Sequence, residues 1–165
     1  MIRSSHTATA LLVALTLVAC LDPSDRRPGT WLSGEVAAEL PTDWSFTDAN
    51  KEIAIEVATP YLLPHSVTIW CAALDGALYV GARDPETKRW PAWVDADPQV
   101  RLGIGGKVYE VALAPLDESA DAAELARLRA AYAVKYALPP APAPADAPPG
   151  SIPPTRYWRV GKIDG

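Results

Sequence analysis

The chain has 165 residues, about half of them hydrophobic, with 15 Lys and Arg against 20 Asp and Glu. A net charge of -5 argues against non-specific nucleic-acid binding and against electrostatic adhesion to anionic lipid. Only His6, His65, Cys20 and Cys71 could supply imidazole or thiolate and no CxxC is present, so a transition-metal site is not expected.

Arg3 opens a short basic lead, followed by the apolar run Ala8 to Ala19 (ATALLVALTLVA) and then Cys20. The run is roughly half to two-thirds of a bilayer-spanning helix, so residues 1–19 read as an export signal and not as a permanent anchor. Leu17-Val18-Ala19-Cys20 resembles the lipobox of bacterial lipoproteins. That resemblance implies cleavage before Cys20, a lipid-bearing (diacylglyceryl, palmitate-type) Cys20 and a domain tethered to a bilayer. Leu21 beside the cysteine resembles the pattern sorted to the outer membrane, facing the periplasm. An ordinary signal peptide cut near Ala19 is the alternative. Residues 20–30 then form a polar, lipidated tether, and 31–165 a single domain long enough to bury a real core.

Trp31 to Phe46 spaces its aromatics irregularly, which suits loop packing or one or two short strands, with Trp31, Trp44 and Phe46 expected to be buried. Lys51 to Ala58 alternates, with Ile53, Ile55 and Val57 on one face and Glu52, Ala54 and Glu56 on the other, as a half-buried strand does. Leu62 to His65 is a turn. Ser66 to Ala82 is the clearest hairpin: Asp75-Gly76 supports a primed turn with Leu74 opposite Ala77. One face collects Ile69, Cys71, Leu78 and Val80, the other Trp70, Ala72 and Tyr79. Both are apolar, which predicts a barrel wall with something packed outside it.

Asp84-Pro85 predicts a capped helical start, and Pro91 a restart that runs to Ala96. Val100 to Ile104 and Lys107 to Leu113 form a second hairpin about Gly105-Gly106, with Arg101 and Glu110 as cross-strand partners. Asp121 and Glu124 have capping-box spacing and open the best helix, its apolar face marked by Leu125, Leu128, Tyr132 and Tyr136. Residues 139–149 (PPAPAPADAPP) read as an extended, polyproline-like loop. Arg156 to Ile163 is a closing strand. The order of elements predicts a mainly β, antiparallel barrel with one long and one short helix at its margin.

Three phrases then appear in order: Asp75-Gly76-Ala77-Leu78-Tyr79-Val80, Lys88-Arg89-Trp90 and Asp97-Pro98-Gln99-Val100, with Tyr157-Trp158-Arg159-Val160 at the end. In this the chain resembles the split-barrel flavin-binding superfamily, which includes pyridoxamine 5'-phosphate oxidase-like and deazaflavin-dependent nitroreductase-like proteins. The resemblance implies an antiparallel split barrel, a homodimer, and FMN or a deazaflavin at the dimer interface. Carried to this chain, Arg83, Lys88 and Arg89 are the candidates for holding the phosphate, and Trp70, Tyr79 and Trp90 for lining the ring. The alternative has the three cations as a solvated loop balanced by Asp84 and Glu86, and the aromatics as core. Thr59 to Val67 departs from the family in holding no Lys or Arg. A haem-binding variant would have only His65 to ligate iron.

No residue is defensible as a nucleophile or general acid, because His65 is the sole histidine after processing and no Ser-His-Asp order is legible. Two functions stay open. One is flavin- or deazaflavin-dependent redox chemistry, with the cofactor transferring hydride or electrons. The other is a non-enzymatic envelope lipoprotein that binds a small ligand or a protein through a cofactor-less barrel.

Overall fold

The computed structural model describes residues 29–138 and 154–163. The export segment, Cys20, most of the tether and the proline-rich stretch 139–149 lie outside the described residues.

Among the described residues, seven strands and two α-helices follow one another: β1 (Glu35–Val36), β2 (Ile53–Val57), β3 (His65–Leu74), β4 (Ala77–Arg83), α1 (Trp90–Ala96), β5 (Gln99–Ile104), β6 (Lys107–Pro115), α2 (Ala122–Lys135) and β7 (Thr155–Gly161). Strands β6, β5, β2, β3, β4 and β7 pair in that order and antiparallel, and β7 returns to β6 to close a six-stranded split barrel. The closure is partial. Strand β7 pairs with β6 only from Ala112 to Pro115, and the short parallel strand β1 takes the same edge of β6 at Lys107 and Val108.

The hairpin registers follow from their turns. Leu74 pairs with Ala77 across Asp75 and Gly76, whose φ angles of 52° and 80° are those of a primed turn. The second hairpin turns on Gly105 and Gly106, both at positive φ, and pairs Val100 with Val111. Alternation sends Ile55, Leu78, Leu102, Val111 and Trp158 inward to the main core, each essentially shielded from water. The opposite face of β3 and β4 carries Ala72 and Tyr79 into a second cluster with Leu125, Leu128, Tyr132 and Tyr157. Helix α2 is therefore the cover that the two-sided hairpin requires. Gly81 leaves room beneath it, since a Cβ there would lie 3.0 Å from the Tyr157 ring of β7 and 3.4 Å from the Tyr132 hydroxyl of α2.

Several sequence expectations change in the structure. Asp84 does not cap; it sits at φ 50° and closes a single 3-10 turn, Pro85–Thr87, with no side-chain cap. The capping box at α2 does not form. Asp121 accepts the Asp117 N–H at 2.8 Å instead, and Glu124 turns outward to β4 and β7. Strand β2 is buried on both faces rather than one, because Glu56 lies beneath the chain around Leu32. Trp44 is buried as expected, whereas Trp31 and Phe46 are exposed. Phe46 stacks on Trp44 from outside, with ring centroids 5.9 Å apart.

Candidate functional site

Three groupings of polar or aromatic side chains stand out, and each owes its geometry to a different pair of elements. The first joins β2 to β5. Arg101 donates to both carboxylate oxygens of Glu56, at 2.9 and 3.1 Å, while the Leu32 N–H also donates to that carboxylate. The expected partner Glu110 is only a secondary one, 3.8 Å from Arg101 Nε. Sequence could not show the Glu56 contact, because β2 and β5 are paired across more than forty residues.

The second grouping lies under α2. The Tyr79 hydroxyl donates to Glu124, and Arg159 reaches both, with its Nε 3.2 Å from the hydroxyl. Burial, and then the Glu124 bond, push the Tyr79 phenol up; the Arg159 and Tyr79 bonds hold the Glu124 carboxyl below its ordinary range. At the end of α2, Tyr136 stacks flat on Trp70, with centroids 4.2 Å apart, and its hydroxyl bonds the carbonyls of Lys51 and Cys71 at 2.7 and 2.9 Å. Burial raises Tyr136 to about 12 and also raises the Cys71 thiol, which points into the core beside Lys135 Nζ at 3.5 Å.

The third grouping surrounds α1. Strand β4 ends at Arg83, where the Asp84 N–H donates to the Pro154 carbonyl at 2.8 Å, and the chain then turns tightly because Asp84 adopts a left-handed backbone. Thr87 closes the turn on the Asp84 carbonyl, and Lys88 Nζ folds back on the Arg83 carbonyl. Helix α1 starts at Trp90 with Pro91 in its first turn, where a missing N–H costs nothing. Trp90 inserts into the core against Trp158, centroids 5.1 Å apart, and Asp95 is held by both terminal nitrogens of Arg156 at 2.8 and 2.6 Å. The helix is thus fixed from inside and outside.

The structure brings Arg83, Lys88 and Arg89 together as an exposed basic turn. It does not bring Trp70, Tyr79 and Trp90 together. Trp70 lies on the outer face under Tyr136, Tyr79 is enclosed by α2, and Trp90 is inside the barrel. Within one protomer the wall itself separates Trp90 from Trp70 and Tyr79, which share the face under α2. The aromatic that does accompany the basic turn is Trp93, one helical turn on from Arg89, whose carbonyl accepts the Trp93 N–H at 3.3 Å. His65 and Tyr61 pack edge-on against Trp93 at 5.4 and 6.0 Å. Trp90 and Trp93, three residues apart on α1, lie toward the same side of the helix: Trp90 is buried in the core and Trp93 packs half-buried against it. Among the described residues, no group of three or more His, Cys, Asp or Glu could hold a metal ion.

The family model described as "Uncharacterized protein conserved in bacteria (DUF2255)" matches residues 45–144. The chain belongs to this family. The matched segment runs from the turn before β2 through α2 and includes the basic turn and α1. No curated protein matches the chain. Among solved structures, a conserved hypothetical protein, Rv2991 from Mycobacterium tuberculosis, matches with TM-score 0.54 and 14% identity over 79% of this chain and 86% of that one. That likeness is one of fold. An FAD-binding protein from Mesorhizobium loti matches at TM-score 0.47 and 17% identity, over 71% and 84% of the two chains. An FMN-binding protein related to pyridoxamine 5'-phosphate oxidase from Nostoc punctiforme matches at 0.42 and 14%, over 68% and 71%.

Proposed function

We propose that this DUF2255-family chain is a membrane-anchored split-barrel protein that binds FMN or a deazaflavin by its phosphate and supports oxidoreductase chemistry. The observation that carries the reading is the exposed turn from Arg83 to Arg89. It presents two guanidinium groups and one ammonium within seven residues that also hold Asp84 and Glu86, at the edge of the barrel and leading into α1, where Trp93 follows. Among the described residues the Arg83 guanidinium has only a long contact to Asp84, 3.9 Å. Guanidinium forks and a nearby ammonium match a phosphate monoester through charge-assisted hydrogen bonds. The donor set therefore fits the phosphate end of such a cofactor. For the flat ring one protomer offers Trp93, and a second copy across a homodimer interface supplies the rest of the enclosure in this reading. When bound, the cofactor itself would supply hydride or electron transfer. The chain's part is to hold the phosphate, orient the ring and exclude water.

Acylation of Cys20 and residence in the bacterial cell envelope, on the periplasmic side of the outer membrane, belong to the same proposal and rest on residues 1–21. A second reading, a cofactor-less envelope protein that binds a small ligand or a protein partner, is favoured by the dispersal of Trp70, Tyr79 and Trp90 over both sides of the wall. An absorbance titration of residues 21–165 with FMN, oxidised and reduced deazaflavin, and haemin separates the two. Saturable flavin-type binding that is lost in an Arg83→Ala, Arg89→Ala double variant supports the first reading. A folded protein that binds none of them leaves the second.

A further inference from the structure

The N-terminal end of the described chain is pinned beside the loop between β2 and β3. The Gly29 N–H donates to Ser66 Oγ at 2.6 Å, and the Ser66 N–H donates to the Gly29 carbonyl at 3.3 Å. From Cys20 to Gly29 is nine residues along the chain, a covalent reach of at most about 30 Å. Whatever holds Cys20 therefore holds the β2–β3 loop within that distance.

Residues 58–64 contain no charged side chain, and three consecutive apolar residues are turned outward: Tyr61 is 56% exposed, Leu62 93% and Leu63 52%. An exposed run of this kind adds nothing to a core and invites association unless it has a use. Leu62 sits at φ 64°, a left-handed backbone unfavourable for a leucine, and the turn is fastened on both sides by Thr59. The Thr59 carbonyl accepts the Leu62 N–H at 3.3 Å, and its hydroxyl donates to the Leu63 carbonyl at 2.6 Å. The loop is thus built to hold Leu62 away from the protein. Behind it stand Tyr61 and Trp93, edge to face, the residue types that prefer the boundary between hydrocarbon and water.

We propose that the Tyr61–Leu63 loop inserts into the bilayer to which Cys20 tethers the chain, so that this end of the barrel rests on the membrane. The inference depends on the proposed acylation of Cys20. A bilayer is the occupant favoured over a protein because the tether confines the loop to it and because the loop itself, residues 58–64, carries no charged side chain for a partner to read. Its contact is hydrophobic, consistent with a chain of net charge -5, and so is insensitive to salt.

The test uses the full-length chain purified from bacterial membranes and reconstituted in phosphatidylcholine vesicles. Leu62→Cys carries a polarity-sensitive fluorophore. A control label at Lys107→Cys lies beyond the Gly105–Gly106 turn, at the end of β5 away from the Val57–Val100 pair. Cys71, wholly buried, stays unlabelled. The expected result is a diacylglyceryl-modified Cys20 in the N-terminal peptide mass, with a label at position 62 that is blue-shifted. That label should be quenched several-fold more than the one at 107 by spin labels placed near the lipid headgroups, at low and high salt alike. An unmodified Cys20 overturns the anchor and this inference together. An acylated Cys20 with a water-like label at 62 overturns the loop insertion alone, and a blue shift without lipid-borne quenching assigns the loop to a protein contact and overturns it too.

Discussion

The two helices cover the same barrel in opposite ways. Helix α2 shuts its flank: Leu125, Leu128 and Tyr132 are buried against β3 and β4, and the polar groups beneath it answer one another through Tyr79, Glu124 and Arg159. Helix α1 plugs the core with Trp90 but leaves its surroundings open, with the Arg83–Arg89 turn, Trp93 and the Tyr61–Leu63 loop facing outward. A flank whose groups are mutually satisfied contributes stability. An end whose cations and apolar residues remain exposed is where a ligand or a surface can be met.

That contrast is broken most severely by changes on the closed side. Leu128→Ala should cost about 3 kcal/mol, as for large-to-small changes at buried sites, read as a lower midpoint in urea unfolding. Arg101→Met leaves the Glu56 carboxylate buried without its ion partner and should cost about the same or slightly less, about 2–3 kcal/mol by the same measurement. If either change proves silent, the covered faces are less tightly packed than described.

Tyr79→Phe is smaller, about 1 kcal/mol at neutral pH, since the Glu124 and Arg159 pair persists in partial contact with water. It also carries a pH signature. Glu124 is held below its ordinary value of 4.5 by Arg159 first and Tyr79 second, so its contribution to stability is present above pH 4.5 and fades as the pH falls through the depressed value. Removing one of its donors should shrink that acid-side loss, and unfolding curves for the two proteins should converge below pH 4.5.

The smallest effect on stability is expected on the open side. Arg83→Ala with Arg89→Ala should shift unfolding by no more than about 0.5 kcal/mol, as exposed substitutions do, while flavin-type binding is lost. A large loss of stability in this variant would make the basic turn a structural element and erase the contrast.

Much of the fold was legible because its determinants are local. Asp75-Gly76 set the register of the first hairpin, and apolar residues on both faces of Ser66 to Ala82 announced the barrel wall and its outer cover. The long helix followed from Leu125, Leu128 and Tyr132. What escaped is non-local or competitive. The Glu56–Arg101 pair requires β2 and β5 to be neighbours. Glu124 was taken from its capping role by Arg159, a residue far along the chain. At the site the basic cluster was legible as a charge pattern, but its aromatic neighbour was not: Trp90 and Trp93 both turn toward the core, and Trp93 is left half-buried at the edge only by its packing on Tyr61 and His65, which is non-local. Trp31 shows the same limit, since hydrophobicity alone places an aromatic inside, whereas the chain at that point has only the outer edge of the barrel to lie on.

The most direct measurement is an amide chemical-shift map of the folded chain as FMN or oxidised deazaflavin is added. The account predicts perturbations gathered from Arg83 to Ala96 and at His65, with the amides of Leu125 to Tyr136 little changed. Perturbations centred on the Trp70–Tyr136 flank, or none at saturating ligand, would contradict it.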